Sequence, residues 1–181
     1  MIPERYKNAD LKKVPKDILE AFEDIFKSHT GLYIHGNVGC GKTYIAYALY
    51  KKTLETHKAE FWNVSELLEE IRLDYERDNY SKTRHNERLN SFTGLLFLDD
   101  IGAERITDWV LDRFYLLINK RYENMLPTVF TSNLTVKELA ERVGDRIASR
   151  IVEGCNIVKK EGKDMRVAFP HNRLYKPDKK E

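Results

Sequence analysis

A chain of 181 residues can bury one sizeable core and falls within the range of a single domain. With 41% apolar and 33% charged residues it has the composition of a soluble globular protein, and its longest apolar runs, such as Leu95 to Leu98, fall far short of the roughly 20 residues that cross a bilayer. Its 31 basic and 29 acidic residues leave a net charge of +2, so bulk charge does not announce a nucleic-acid binder and local clustering must carry any such argument.

The segment Met1 to Asp10 carries charge without an apolar stretch, so it does not read as a secretory signal, and a cytoplasmic location is expected. Cys40 and Cys155 form neither a metal-ligand nor a disulfide pattern and are expected to be reduced thiols.

Apolar residues at Ile18, Ala21, Phe22, Ile25 and Phe26 have helical spacing and predict a helix over Val14 to Lys27, ended by His29-Thr30-Gly31. Leu32-Tyr33-Ile34 reads as a short buried strand that runs into a glycine-rich loop, and Thr43 to Leu54 as the helix that follows. Phe61 and Trp62 fall in a second strand, and Asn63 with Glu66 three residues on opens a helix carrying Leu67, Leu68 and Ile71. Arg72 to Thr93 is a long polar stretch of both charges, more than one crossover helix requires. Leu95 to Leu98 then ends in two aspartates, as suits a central parallel strand with its functional edge at the C-terminal end.

Thr107 to Asn124 reads as a long helix with Trp109, Val110, Phe114, Leu117 and Ile118 toward the core, and Pro127 to Thr131 as another strand. Thr135 caps a helix through Val143, Asp145 to Val152 forms a short helix after Gly144, and Asn156 to Lys160 is the last strand. The expected organisation is one domain over residues 1–169, followed by a basic tail over 170–181.

Gly36-Asn37-Val38-Gly39-Cys40-Gly41-Lys42-Thr43 matches G-x-x-x-x-G-K-[ST] between a predicted strand and a predicted helix, the context this motif requires. Such a loop turns its backbone N–H groups toward phosphate oxygens, its lysine reaches the β- and γ-phosphates of ATP, and the Thr43 hydroxyl ligates Mg2+. Asp99, at the end of the apolar strand, is the expected carboxylate on the magnesium side, and Asp100 the residue that orients or deprotonates the attacking water. In Thr131-Ser132-Asn133, after the next strand, a polar side chain reaches the space between the acids and the γ-phosphate, although such residues also serve as plain turn formers.

Arg146 and Arg150 stand four apart on one helix face, where they either complete a neighbouring copy's site or pair with Asp145 or Glu141. Arg72, Arg77, Lys82, Arg84 and Arg88, with Tyr75 and Tyr80, supply cations and rings for a single-stranded nucleic acid, diluted by five acidic residues in the same stretch.

Taken together, the phosphate loop, Leu-Phe-Leu-Asp-Asp-Ile-Gly-Ala-Glu at 96–104, Thr-Ser-Asn at 131–133, Asp-Arg-x-x-Ser-Arg at 145–150 and the opening Ile2-Pro3-Glu4-Arg5-Tyr6 resemble the AAA+ ATPases of the DnaC/DnaI helicase-loader family. The resemblance implies an α/β P-loop fold with a five-stranded parallel sheet flanked by helices, ATP-driven self-assembly, and binding to a replicative helicase and single-stranded DNA. By that resemblance Asn133 is the sensor residue, Arg150 the arginine finger with Arg146 beside it, and Arg166 a second sensor. The alternatives are a transposition helper ATPase of the IstB type and a small-molecule P-loop kinase.

Overall fold

The computed structural model describes residues 2–77 (side chains 74–77 excepted), 88, 89, 91–103 and 107–165. Two short 3-10 helices, Glu4–Tyr6 and Leu11–Lys13, lead into helix α1 (Lys16–Ser28), which buries Ile18, Phe22 and Ile25 on one face. His29, in the left-handed region at φ 54°, closes it. Phe26, on the predicted apolar face, lies at the margin of that stripe and stacks instead on His57.

Strand β1 (Gly31–His35) leads through the glycine-rich loop into α2 (Lys42–Leu54), and β2 (Ala59–Asn63) into α3 (Val64–Arg77). The Asn63 side chain accepts from the backbone of Ser65 and Glu66, which is the cap the sequence predicts. Strand β3 (Leu95–Asp99) is buried along its whole length. Helix α4 (Asp108–Glu123), capped by Thr107, precedes β4 (Thr128–Ser132). Helix α5 (Val136–Val143) begins in a full capping box between Thr135 and Glu138, and α6 (Asp145–Gly154) leads directly into β5 (Cys155–Lys159).

The sheet is parallel throughout, in the order β2-β3-β4-β1-β5. Alternate residues of each inner strand serve two separate cores. Leu32 and Ile34, with Phe97 and Val129, pack under α1 and α2, whereas Tyr33, Leu96, Leu98 and Phe130 pack under α3 to α6. Burial on both faces explains why these strands read as unbroken apolar runs.

Arg121 of α4 is a buried cation that the sequence reading passed over. It donates to the carbonyls of Phe92, Gly94 and Pro127 and to Thr128 Oγ1, so one guanidinium ties together the chain entering β3 and β4. Burial lowers its pKa to about 10.

Because all five strands run the same way, the segments after β1, β3, β4 and β5 emerge on one edge of the sheet. Among the described residues no helix is long and apolar enough to cross a membrane. The expected basic tail, Arg166, and half of the polar stretch from Arg72 to Thr93, including Tyr80, Lys82 and Arg84, as well as the side chains of Tyr75 and Arg77, lie outside the described residues.

Candidate functional site

The loop after β1 is anchored where it leaves the strand, from both neighbouring strands. Gly36 N donates to Ser132 O at 3.2 Å, and Lys160 N, just past β5, donates to His35 O at 2.6 Å. Gly39 adopts φ 76°, and a Cβ there would overlap the carboxylate of Asp164, whose neighbour Met165 donates its N–H to Gly39 O. The left-handed φ is what favours glycine at this variable position of the motif, and any other residue would also have to displace the Asp164 side chain.

Lys42 begins α2 and is almost wholly buried. Its Nζ donates to the carbonyls of Gly36 and Asn37, both at 2.9 Å, and to Asn133 Oδ1 at 2.7 Å, and it lies 3.9 Å from Cys40 Sγ. Burial lowers its pKa, against the opposing pull of Cys40, Asp100 and Asp99. Thr43 Oγ1 donates to Asp99 Oδ2 at 3.1 Å, and Thr131 Oγ1 donates to Asp99 Oδ1 at 2.6 Å. Burial raises the pKa of Asp99, and the two hydroxyl bonds partly offset it.

Asp100 has φ 65°, a left-handed conformation that is uncommon for a residue other than glycine and that redirects the chain as it leaves β3. Its N–H donates to Thr131 Oγ1 at 2.9 Å, and its Oδ1 accepts from Asn133 Nδ2 at 3.0 Å. Two residues on, Gly102 adopts φ 88°, and a Cβ there would press on the Leu134 side chain, so the glycine of the acidic motif fits the turn against the β4–α5 connection.

Interposing β4 between β1 and β3 thus brings Asn133 between the lysine of one strand's loop and the acid of the other. The structure joins Lys42, Thr43, Asp99, Asp100 and Asn133 in one hydrogen-bonded group. Lys42, Thr43, Asp100 and Asn133 open on a cavity of about 810 Å³, whose lining includes Val38, Gly39, Cys40 and Gly41 of the loop, while Asp99 lines a neighbouring cavity that shares Thr43 and Asp100.

Arg5, Tyr6, Lys13 and Met165 also line that cavity and were missed as site residues. The N-terminal segment is held there by Tyr44, which donates to Asn8 O and accepts from Asp10 N, and by Lys51, which donates to the carbonyls of Lys7 and Ala9. The only sequence signal for it was the opening Ile2 to Tyr6. Cys40 and Cys155 are both free thiols; burial pushes Cys155 up to about 12.

Arg146 and Arg150 are not part of this group. Arg150 borders a small cavity with Gly31, Thr128 and Cys155, the first residues of β1, β4 and β5, and so sits at the opposite edge of the sheet from the phosphate loop. A strand of this length spans about 13 Å, which places Arg150 beyond reach of its own Lys42 site. Of the cations predicted for nucleic acid, Arg72 pairs with Glu69 at 3.3 Å, and Arg88 pairs with Glu60 at 2.8 Å and lies over the Trp62 ring.

Three groups of polar side chains delivered to one edge by β1, β3 and β4, with a cavity beside them, define a P-loop NTPase of the AAA+ type. The chain belongs to the IstB-like ATP binding protein family, whose model matches residues 7–171. It is similar to the replicative helicase loader DnaI of Bacillus subtilis (strain 168), 32% identical over 127 residues that cover 68% of this chain and 39% of that protein. It is also similar to the chromosomal replication initiator protein DnaA of Borrelia hermsii, 28% identical over 145 residues covering 79% of this chain and 30% of that one.

Among solved structures, the crystal structure of the DnaC helicase loader superposes with a TM-score of 0.75 at 26% identity, covering 88% of this chain and all of that one. These matches bear out the AAA+ helicase-loader family resemblance. The chain spans about two-fifths of the length of DnaI.

Proposed function

We propose that the chain binds ATP with Mg2+, hydrolyses it once copies assemble, and acts in DNA replication by loading or remodelling a replicative helicase, with single-stranded DNA as a second partner. The observation that carries the ATPase part is the chain of bonds from Lys42 through Asn133 to Asp100, beside the Thr43–Asp99 pair. The helicase part rests on the likeness to DnaI and DnaC, and the single-stranded DNA part on the family resemblance of the sequence motifs alone.

The residues fit the nucleotide. The loop carbonyls that now hold Lys42 give way to the β- and γ-phosphates, for which a lysine is the ordinary counter-charge. Thr43 and Asp99 present a hydroxyl and a carboxylate side by side, the hard oxygen donors that a magnesium ion shares with phosphate and water. When bound, the cation neutralises charge that develops on the phosphate oxygens. Asp100 orients the attacking water and accepts its proton, and Asn133 holds that carboxylate in line while its own carbonyl fixes Lys42.

Arg150, with Arg146 beside it, supplies positive charge to the γ-phosphate of the next copy, since it lies at the wrong edge to serve its own. Arg166 is proposed as the second sensor, by the family resemblance alone.

The test is ATP hydrolysis across a protein concentration series, with and without single-stranded DNA, with Lys42→Ala as control. A rate per molecule that rises with concentration or DNA is expected; a flat, DNA-insensitive rate would sink the assembly-dependent site. The family match also favours a second reading, a transposition helper ATPase with the same site and a different partner. Capture of a transposase, and not of a replicative helicase, would decide for it.

A further inference from the structure

Tyr115 lies one helical turn before Asn119 on α4 and packs against the core beside α6. Both arginines of α6 converge on it. The guanidinium carbon of Arg146 is 4.6 Å and that of Arg150 is 5.0 Å from the Tyr115 ring centroid. The Tyr115 hydroxyl accepts from Nη2 of Arg146 at 3.1 Å and from Nη2 of Arg150 at 3.4 Å. Two like charges one turn apart on a helix repel each other, and an electron-rich ring that attracts both offsets that repulsion.

Arg150 is held further: Nε donates to Asn119 Oδ1 at 2.6 Å, Nη1 donates to Arg146 O at 2.7 Å, and the Tyr122 ring lies 5.9 Å away. Each of its three nitrogens is therefore tethered by one N–H. A guanidinium carries five such donors, so among the described residues one N–H on each terminal nitrogen has no partner and can meet an incoming oxygen.

We propose that Tyr115 is the positioning residue of the arginine finger: it holds Arg150, with Arg146 beside it, as a pre-set fork for the γ-phosphate bound by a neighbouring copy. This inference rests on the reading of Arg150 as acting in trans. A long side chain that docks from solution loses rotamer freedom, whereas a fork already ordered on its own subunit loses less. Tyr115 does not line the cavity beside Lys42, so its effect falls on the neighbour's turnover and not on ATP binding by its own subunit.

Two variants separate this role from packing. Tyr115→Leu keeps an apolar side chain on the core but removes ring and hydroxyl, and Tyr115→Phe keeps the ring. At protein concentrations where the wild-type rate per molecule has risen, Tyr115→Leu is expected to lose about tenfold in kcat with KM for ATP within about twofold, and Tyr115→Phe to keep at least about a third of the rate. Mixing Tyr115→Leu with Lys42→Ala restores hydrolysis, because the first supplies an intact phosphate loop and the second an intact fork.

A wild-type rate for Tyr115→Leu, or a loss that Lys42→Ala does not relieve, overturns the proposal. Arg150→Ala is run in the same assay and must show at least as large a loss and the same rescue. Wild-type turnover by Arg150→Ala would instead overturn the trans reading itself.

Discussion

Lys42 and Asn133, 91 positions apart in sequence, meet at 2.7 Å through Nζ and Oδ1. The amide of Asn133 spends its other end on Asp100, so the position of that carboxylate is set by the same side chain that holds the lysine. Asn133→Ala is expected to leave ATP affinity within a few-fold of wild type, since the phosphate loop and Lys42 are themselves unchanged, and to lower hydrolysis about 100-fold. Nucleotide titration alongside single-turnover hydrolysis separates the two effects, and equal losses in both would show that Asn133 serves binding alone.

The buried carboxylate of Asp99 is disfavoured in its charged form by its surroundings, and Thr43 and Thr131 only partly compensate. Asp99→Asn removes that cost while an amide can still meet both hydroxyls. The nucleotide-free variant is expected to be more stable by about 1 kcal/mol and to melt about 2–4 °C higher. The extra stabilisation that wild type gains from ATP with Mg2+ should be largely lost. A lower melting temperature without nucleotide would mean that the charge itself clamps β3 to its neighbours.

Arg121 satisfies three carbonyls and a hydroxyl at the entrance to β3 and β4. Arg121→Met keeps a long apolar stem but leaves those groups unpaired. It is expected to cost about 3 kcal/mol, seen as a fall of about 10 °C in Tm, with hydrolysis by the surviving folded fraction unchanged.

His35, the last residue of β1, has its pKa lowered first by burial and then by Lys159, with Lys42 adding to the effect and Glu138 opposing it. The unfolded chain therefore takes up a proton near pH 6.5 that the folded protein refuses until a lower pH, so stability falls as pH drops through that window. His35→Gln is expected to flatten the decline. Urea midpoints measured between pH 5 and 7.5 for both proteins test this, and parallel profiles would remove His35 from the account.

Much of this was legible in sequence for reasons that are local. The runs at Leu32–Ile34 and Leu95–Leu98 were unbroken because both faces are buried, and that marked the first as a buried strand and the second as a central parallel one. Asn63 and Thr135 each announced a helix start, because a cap is a bond between a side chain and the backbone two or three residues on. Other features carried no such sign. The apolar spacing of α1 included Phe26, because periodicity reports a face without reporting where its margin falls. Arg121 looked like any basic residue in the last turn of a helix, since its acceptors come from segments on other elements. The Arg146–Arg150 pair was visible as spacing, but Tyr115 and Asn119, which hold it, are on α4.

The phosphate loop, the acid-ended strand and the α/β class were determined by sequence alone, because a glycine's conformational freedom, an apolar run and a capping residue act within a few positions of themselves. Which strand lies between β1 and β3, that Asn133 thereby joins Lys42 to Asp100, and that Arg150 faces away from its own Lys42 were decided only by tertiary structure. These depend on parallel strands whose connections cross the sheet, so the contacting residues are set by the order in which distant strands pack, and no local pattern encodes that order.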